Sequence, residues 1–126
     1  MKNLQVGCSY HHSLWGKDIT IDTAEMLYMN HEHLLPISIN DKSIQQIGFV
    51  ETLDSDDEYG VYSHTLSESE EIIYRIELTI HKKEYMASLI FFSEKGTNEL
   101  DVNYIHEVQQ LFNLAYGIIP TIDFNF

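Results

Sequence analysis

Basic residues are scarce in this chain: seven Lys and Arg stand against twenty Asp and Glu, for a formal net charge of −13. Direct binding of nucleic acid uses Lys and Arg to displace counterions from phosphates, so that ligand is disfavoured, and an anionic membrane surface with it. Cysteine is nearly absent. The lone Cys8 cannot close an internal disulfide, which fits a reducing cytoplasm and a small buried hydrophobe. Two prolines and six glycines leave no Pro- or Gly-rich linker and no repeat is visible, so 1–126 reads as a single domain. Long apolar runs are missing as well. Nothing approaches the ~18 to 20 consecutive apolar residues of a membrane span, and Met1-Lys2-Asn3-Leu4-Gln5 lacks the charged-then-apolar pattern of a secretory signal.

Catalytic signatures are also wanting. There is no Gly-x-Ser-x-Gly elbow, no Gly-x-Gly-x-x-Gly or Gly-x4-Gly-Lys-Ser/Thr phosphate loop, and no partner motif for Cys8. Seven histidines invite a zinc test, above all Cys8, His11 and His12, and the run His31-Glu32-His33. Their spacing matches neither a finger nor His-Glu-x-x-His, so scattered surface histidines are expected. Asp54-Ser55-Asp56-Asp57-Glu58-Tyr59-Gly60 is calcium-loop-like, but its Gly comes one place late and no bidentate Glu follows, which leaves at most a weak, nonspecific cation site. The expectation is a protein without catalytic residues, metal or cofactor, hence not an enzyme. A small metal-dependent enzyme ranks third among the alternatives.

What is present is an α+β pattern. Leu4 and Val6 before Gly7, then Ile19 and Ile21 after Gly16, suggest two short strands. Asp22 or Thr23 caps a short helix carrying Met26 and Leu27, which ends near His31 to Leu34. Pro36-Ile37-Ser38-Ile39 is extended; Asn40 caps and Gly48 stops a second short helix with Ile44 and Ile47 inward. Phe49 and Val50 start a strand, and Tyr59 to Tyr62 form another. Ile72, Tyr74, Ile76, Leu78 and Ile80 alternate with polar partners over 72–80, the strongest strand signal in the chain. A nearly all-apolar strand over 85–92 and a short one through Leu100 and Val102 follow. From Asn103, Ile105, Val108, Leu111, Phe112 and Ala115 recur at helical spacing, with His106, Glu107, Gln109, Gln110 and Asn113 on the opposite side, up to Gly117. These elements predict an antiparallel sheet of about four to six strands, a C-terminal amphipathic helix packed on it, and two short helices in the N-terminal half.

The charge is local. Residues 51–71 hold eight acids and no Lys or Arg, and so contribute −8 of the −13. This stretch reads either as a flexible, solvated loop kept for solubility or as a partner-binding segment. In the second reading Asp54, Asp56, Asp57, Glu58, Glu68, Glu70 and Glu71 imitate a line of phosphates and enter a basic nucleic-acid channel on another protein, with Tyr59 and Tyr62 as aromatic anchors.

Three segments carry a resemblance: Leu4-Gln5-Val6-Gly7 with Gly16-Lys17-Asp18-Ile19; Leu35-Pro36-Ile37-Ser38-Ile39 with Ile47-Gly48-Phe49; and Tyr104-Ile105-His106-Glu107-Val108-Gln109-Gln110-Leu111. In this order they resemble a family of small proteins from bacterial phages and mobile elements. Ser38 and Asn40-Asp41 depart from its Pro and Thr-Glu, and the acidic stretch 51–71 matches no shared motif. The resemblance implies a shared fold, a mobile-element origin and residence in the cytoplasm of a bacterial host. It also implies that His106 seats its helix through a structural hydrogen bond. The resemblance further implies a strategy that small acidic phage proteins often share, inhibition of host defence or nucleic-acid-handling enzymes by competition for basic surfaces. The expected function is therefore inhibition of a nucleic-acid-handling enzyme, an anti-CRISPR protein, with a type VI RNA-targeting effector as the specific target. The alternative is an accessory phage module that self-associates, with its charge serving solubility.

Overall fold

The period-2 alternation of the central segment builds the body of the structure. In a computed structural model, residues 4–68, 73–84, 86–93 and 96–124 are described, with side chains for all of these except 65–68, 73–75, 93 and 96. Strands β4 (Val50–Glu51), β5 (Tyr59–Glu68), β6 (Ile73–His81), β7 (Met86–Ser93) and β8 (Gly96–Val102) form one antiparallel sheet in that order. Register places Tyr62, Leu78, Leu89 and Leu100 in one row across four strands. Tyr62, Leu78 and Leu89 in this row are buried against the helices, whereas Leu100 on β8 remains 43% exposed. Their neighbours along each strand point to the other face, as the pleat requires.

A second, smaller sheet lies in the N-terminal part: β1 (Ser9–His12) is central between β2 (Lys17–Thr20) and β3 (Leu34–Leu35). Cys8, Tyr10, Ile19, Ile21 and Leu34 form its own core, closed by Leu4, Met26 and Leu27. Met26 and Leu27 come from α1 (Ala24–Asn30), whose N-cap Thr23 accepts the Met26 N–H and which runs into a 3-10 turn over His31–His33. The short helix α2 (Asp41–Gln46) starts at Asn40, whose side chain accepts the Ser43 N–H while the Ser43 hydroxyl accepts the Asn40 N–H. It ends before Gly48, held at φ +100°, where a Cβ would meet the His64 ring at 2.8 Å.

The C-terminal helix α3 (Ile105–Tyr116) stops at Gly117 in the left-handed region, φ +70°. Ile105, Val108 and Phe112 join the main core with Ile44, Ile47 and Phe49 from the α2 segment. The α+β architecture expected from the pattern is the one found. Three expectations need correction. The first strand is Ser9–His12 rather than Leu4 to Val6: Gly7 sits at φ +95° and the chain enters the sheet only after it. The strand begun at Tyr59 does not stop at Tyr62 but runs ten residues to Glu68, because β6 is long enough to pair with all of it around an irregularity between Thr65 and Ser67. Finally, the polar side of α3 is not wholly in solvent: Glu107, Gln110 and Asn113 are half-exposed, but His106 and Gln109 are buried at 5% and 0% exposure.

The reason for the last point is that α3 is packed on two sides. Gln109 Oε1 accepts the Ser9 N–H of β1 at 2.7 Å, while Nε2 donates to the Ser9 hydroxyl at 3.1 Å and to the Pro120 carbonyl at 2.9 Å. One buried amide thereby joins the small sheet, the helix and the C-terminal segment. Changing Gln109→Leu removes every one of these bonds while keeping the volume similar, and leaves the Ser9 N–H and Pro120 C=O buried without partners. Urea denaturation should show a loss of about 2–4 kcal/mol in unfolding free energy, from about 1–3 kcal/mol per unsatisfied group. A loss below about 0.5 kcal/mol would mean that the amide does not hold these parts together.

Candidate interaction surface

The acidic residues 54–58 are held in an ordered turn. Asp56 Oδ1 accepts the backbone N–H groups of Glu58 and Tyr59, each at 2.8 Å, and the Asp56 N–H returns to the Tyr59 carbonyl at 2.8 Å. This is the Asx-turn geometry that Asp favours. The Ser55 hydroxyl accepts the Val61 N–H at 2.8 Å and donates to the Val61 carbonyl at 3.2 Å, pinning the turn to β5. Lys82, in the β6–β7 turn, donates its backbone N–H to the Glu58 carbonyl and its Nζ to the Asp56 carbonyl. The N–H groups of Tyr59 and Glu58, helped by the Lys82 charge, hold the Asp56 carboxyl below the usual carboxylate range. Asp56 thus organises the turn, and Asp54, Asp57 and Glu58 are the acids it presents to solvent.

The fold distributes the other expected residues quite differently. Tyr59 is 39% exposed and its ring meets the His81 ring edge-on at 4.9 Å, so an aromatic side chain does stand beside the acidic turn. Tyr62 does not. It is 1% exposed, packs in the main core and donates its hydroxyl proton to Asp41 Oδ1, and this burial and the nearby carboxylate push its pKa well above the ordinary tyrosine value. Its place among the partner-facing anchors is withdrawn: position 62 points to the helix side of the sheet, position 59 lies at the strand's exposed start. Glu68 ends β5, nine residue steps from Tyr59, which at about 3.3 Å per residue is roughly 30 Å away. The side chain of Glu68, and Glu70 and Glu71 altogether, lie outside the described residues. In its described part, 51–68, the acidic stretch is therefore not one loop: ten of those residues form the longest described strand of the sheet.

What the fold adds is a set of acids from elsewhere. On the face away from the helices, register sets Val61, Thr79, Ser88 and Asp101 in one row and Ser63, Glu77, Ile90 and Glu99 in the next. A shallow depression of about 190 Å³ is lined on this face by Tyr59, His81, Glu84, Met86, Glu99 and Asp101, and connects the corner at the acidic turn to β8. The Glu84 N–H donates to His81 Nδ1 at 3.2 Å, so the His81 proton sits on Nε2 in the neutral ring. Glu99 and Asp101 were not singled out in the sequence, although the alternation Thr97, Glu99, Asp101 against Leu100 and Val102 is the signal that places them outward.

The histidines are not simply scattered over the surface. His12 is 1% exposed: Trp15 N–H donates to Nδ1 at 3.2 Å, so Nε2 carries the proton and donates to Asn30 Oδ1 at 3.1 Å. Asn30 in turn donates to the Met26 carbonyl, and Trp15 stacks on His12 at 3.8 Å. His11 Nδ1 lies 2.8 Å from Asp18 Oδ1 across the β1–β2 pair. His106 makes no structural hydrogen bond through Nδ1, which is buried without a partner; the ring is seated by packing, stacked on Tyr104 at 5.8 Å and tilted against Tyr10 at 5.3 Å. His64 Nδ1 is also unpartnered, with the ring edge-on to Phe49 and Phe112. Cys8 is buried, and desolvation pushes its thiol up to about 11 and the neighbouring Tyr10 hydroxyl up to about 12. Both are protonated at neutral pH and pack in the core. Among the described residues no three His, Cys, Asp or Glu side chains are grouped to hold a metal ion, the Asp54–Glu58 string included.

No family model, curated protein or solved structure matches this chain.

Burial lowers the pKa of both His64 and His106 below the ordinary 6.5, because each imidazolium would be desolvated in the core. The unfolded chain therefore takes up protons before the native one does, so the contribution to stability is complete above about pH 6.5 and declines as pH falls below it. The urea midpoint should drop between about pH 7.5 and pH 5.5, above the range in which carboxylates titrate. NMR titration should find both imidazoles changing below 6.5. Ordinary or raised values would refute the burial argument.

Proposed function

We propose that this chain is a non-enzymatic binding protein whose acidic, helix-free sheet face, with the ordered turn 54–58 at its corner, occupies a basic surface on a partner protein. The observation that supports this reading above others is the preorganised turn. Asp54, Asp57 and Glu58 are held out by a hydrogen-bonded backbone instead of a mobile loop, so presenting them to cations costs little further ordering. Tyr59 on His81 offers a rigid aromatic contact beside them, and Glu99 and Asp101 extend the same sign of charge across the sheet. Lys82 and Lys83 temper the field at this corner, which is less negative than a count over residues 51–71 implies. A net charge of −13 steers such a protein toward a basic partner and away from nucleic acid itself. In its most specific form the proposal follows the resemblance: the partner is a host enzyme that handles nucleic acid, an RNA-guided effector nuclease of the RNA-targeting type, whose channel the acidic face would occupy as a nucleic-acid mimic. The reaction class of the protein itself is binding, and no cofactor is required.

The test uses a variant that keeps Asp56, since that carboxylate builds the turn: Asp54→Asn, Asp57→Asn and Glu58→Gln together with Glu99→Gln and Asp101→Asn. The wild type should suppress RNA cleavage by a type VI effector when near-stoichiometric, and the variant should need at least about tenfold more protein, with the inhibition weakening as salt rises. Full effector activity in roughly a hundredfold excess of wild type would remove the nuclease assignment. Retention of one and the same host protein by wild type and variant in a pull-down would remove the acidic face as the binding surface.

A further inference from the structure

The five-stranded sheet has two edges, and they are not equivalent. At one, β4 has only two residues; at the other, β8 has seven, and every described side chain from Thr97 to Asp101 is exposed. Leu100 shows the consequence most clearly. It stands in register with Leu89 and Leu78, both 0% exposed, yet is itself 43% exposed because among the described residues no further strand lies beside it. Next to this edge runs a groove of about 590 Å³ between β8 and the outward side of α3. Leu100, Val102, Leu111, Leu114 and Pro36 give it an apolar lining, with Leu114 84% exposed. Glu107 stands on its wall, held in place by the N–H groups of Asn103 and Tyr104, each 2.9 Å from Oε1. His106, 5% exposed and with Nδ1 unpartnered, also lines it.

An open edge strand offers unpaired N–H and C=O groups at alternate residues, and an extended segment satisfies them all at once. The alternation of β8 then dictates what that segment carries. Its side chains on the helix side fall over Leu100 and the apolar groove, while those on the other side fall beside Glu99 and Asp101. A second copy of β8 fits poorly: antiparallel self-pairing centred on Leu100 sets Glu99 of each chain opposite Asp101 of the other, between two molecules of charge −13. We propose that β8 is a strand-addition site for an extended segment of a partner protein in which basic and apolar residues alternate, the basic ones on Glu99 and Asp101 and the apolar ones in the groove against α3. This rests on and deepens the proposed reading, with which it shares Glu99 and Asp101, by adding the β8 edge and the groove against α3 as the site.

Three labelled nonapeptides test the site on the intact protein: one alternating lysine with valine or leucine, the same peptide with its central apolar residue replaced by proline, and one alternating lysine with serine. By fluorescence anisotropy the first should bind, and the other two at least about tenfold more weakly, because proline removes a ladder donor and serine does not fill the groove. Amides 97–101 should gain hydrogen-exchange protection on binding. Leu100→Lys and Asp101→Lys, both at exposed positions that leave the core intact, should each weaken the first peptide at least about tenfold. Equal binding of all three peptides would reduce the effect to charge attraction and overturn the proposal, as would protection appearing elsewhere than β8. A dimer in sedimentation that Leu100→Lys abolishes would show that a second copy covers the edge, which also overturns it. Failure of the peptides while the acidic-face variant still loses its partner would sink strand addition alone.

Discussion

Among the described residues, the buried amide of Gln109 makes the closest hydrogen bonds between the small sheet and α3, with the Cys8 thiol donating to the His106 carbonyl at 4.0 Å beside it. Two apolar cores of this size, one around the five-stranded sheet and one around β1, would be separate units if nothing polar linked them, because hydrophobic contact is non-directional and sets no register between them. Gln109 supplies direction: it accepts from the Ser9 backbone and donates to the Ser9 hydroxyl and the Pro120 carbonyl. Ser9 in turn exchanges a hydroxyl contact with Thr20 at 3.0 Å, so the constraint passes into β2. Buried polar groups are tolerated only when paired, and this one makes three bonds to two distant parts of the chain, Ser9 and Pro120.

That arrangement also explains which parts of the fold were legible. The alternation of Ile76, Leu78 and Ile80 and the three- and four-residue spacing of Ile105, Val108 and Phe112 are direct imprints of a sheet face and a helix stripe, and both elements are legible, as are the cap Asn40 and the stop at Gly117; of the two candidate caps Asp22 and Thr23, the structure uses Thr23. Periodicity scores polarity, however, and not pairing. Gln109 and His106 therefore counted as a solvent face although one is fully bonded and the other packed between Tyr104 and Tyr10. The strand Ser9-Tyr10-His11-His12 was missed for the same reason: Ser9 and His12 are buried through hydrogen bonds to Gln109 and Asn30, and neither signals burial in a hydropathy pattern.

The candidate surface shows the complementary failure. Charge density along the chain was visible, but its geometry was not, because a ten-residue strand turns neighbours in sequence into opposite ends of a sheet. Hairpin pairing then does the reverse, bringing Lys82 onto Asp56 and setting Glu99 and Asp101 on the same face as Tyr59. Within the turn the acids are not equivalent. Asp56 spends its carboxylate on two backbone N–H groups, and that internal use is what frees Asp54, Asp57 and Glu58 to face outward. Tyr62 illustrates the distinction, since three residues along one strand separate it, 1% exposed, from Tyr59, 39% exposed on the opposite face.

The acids of β8 have two consequences that pull the same way. Edge strands are hazards, and charged side chains on them are a common protection against pairing with copies of the same chain. Such protection is selective by sign. Glu99 and Asp101 repel an identical edge, and by the same Coulombic argument attract one bearing lysine or arginine at alternate positions. The row of Leu78, Leu89 and Leu100 is left unfinished at its last member, and burying Leu100 would gain on the order of 1 kcal/mol. An edge that is closed to itself, open to the opposite charge and apolar on its inner side is therefore a discriminating surface, and the discrimination arises from two carboxylates and one half-buried leucine.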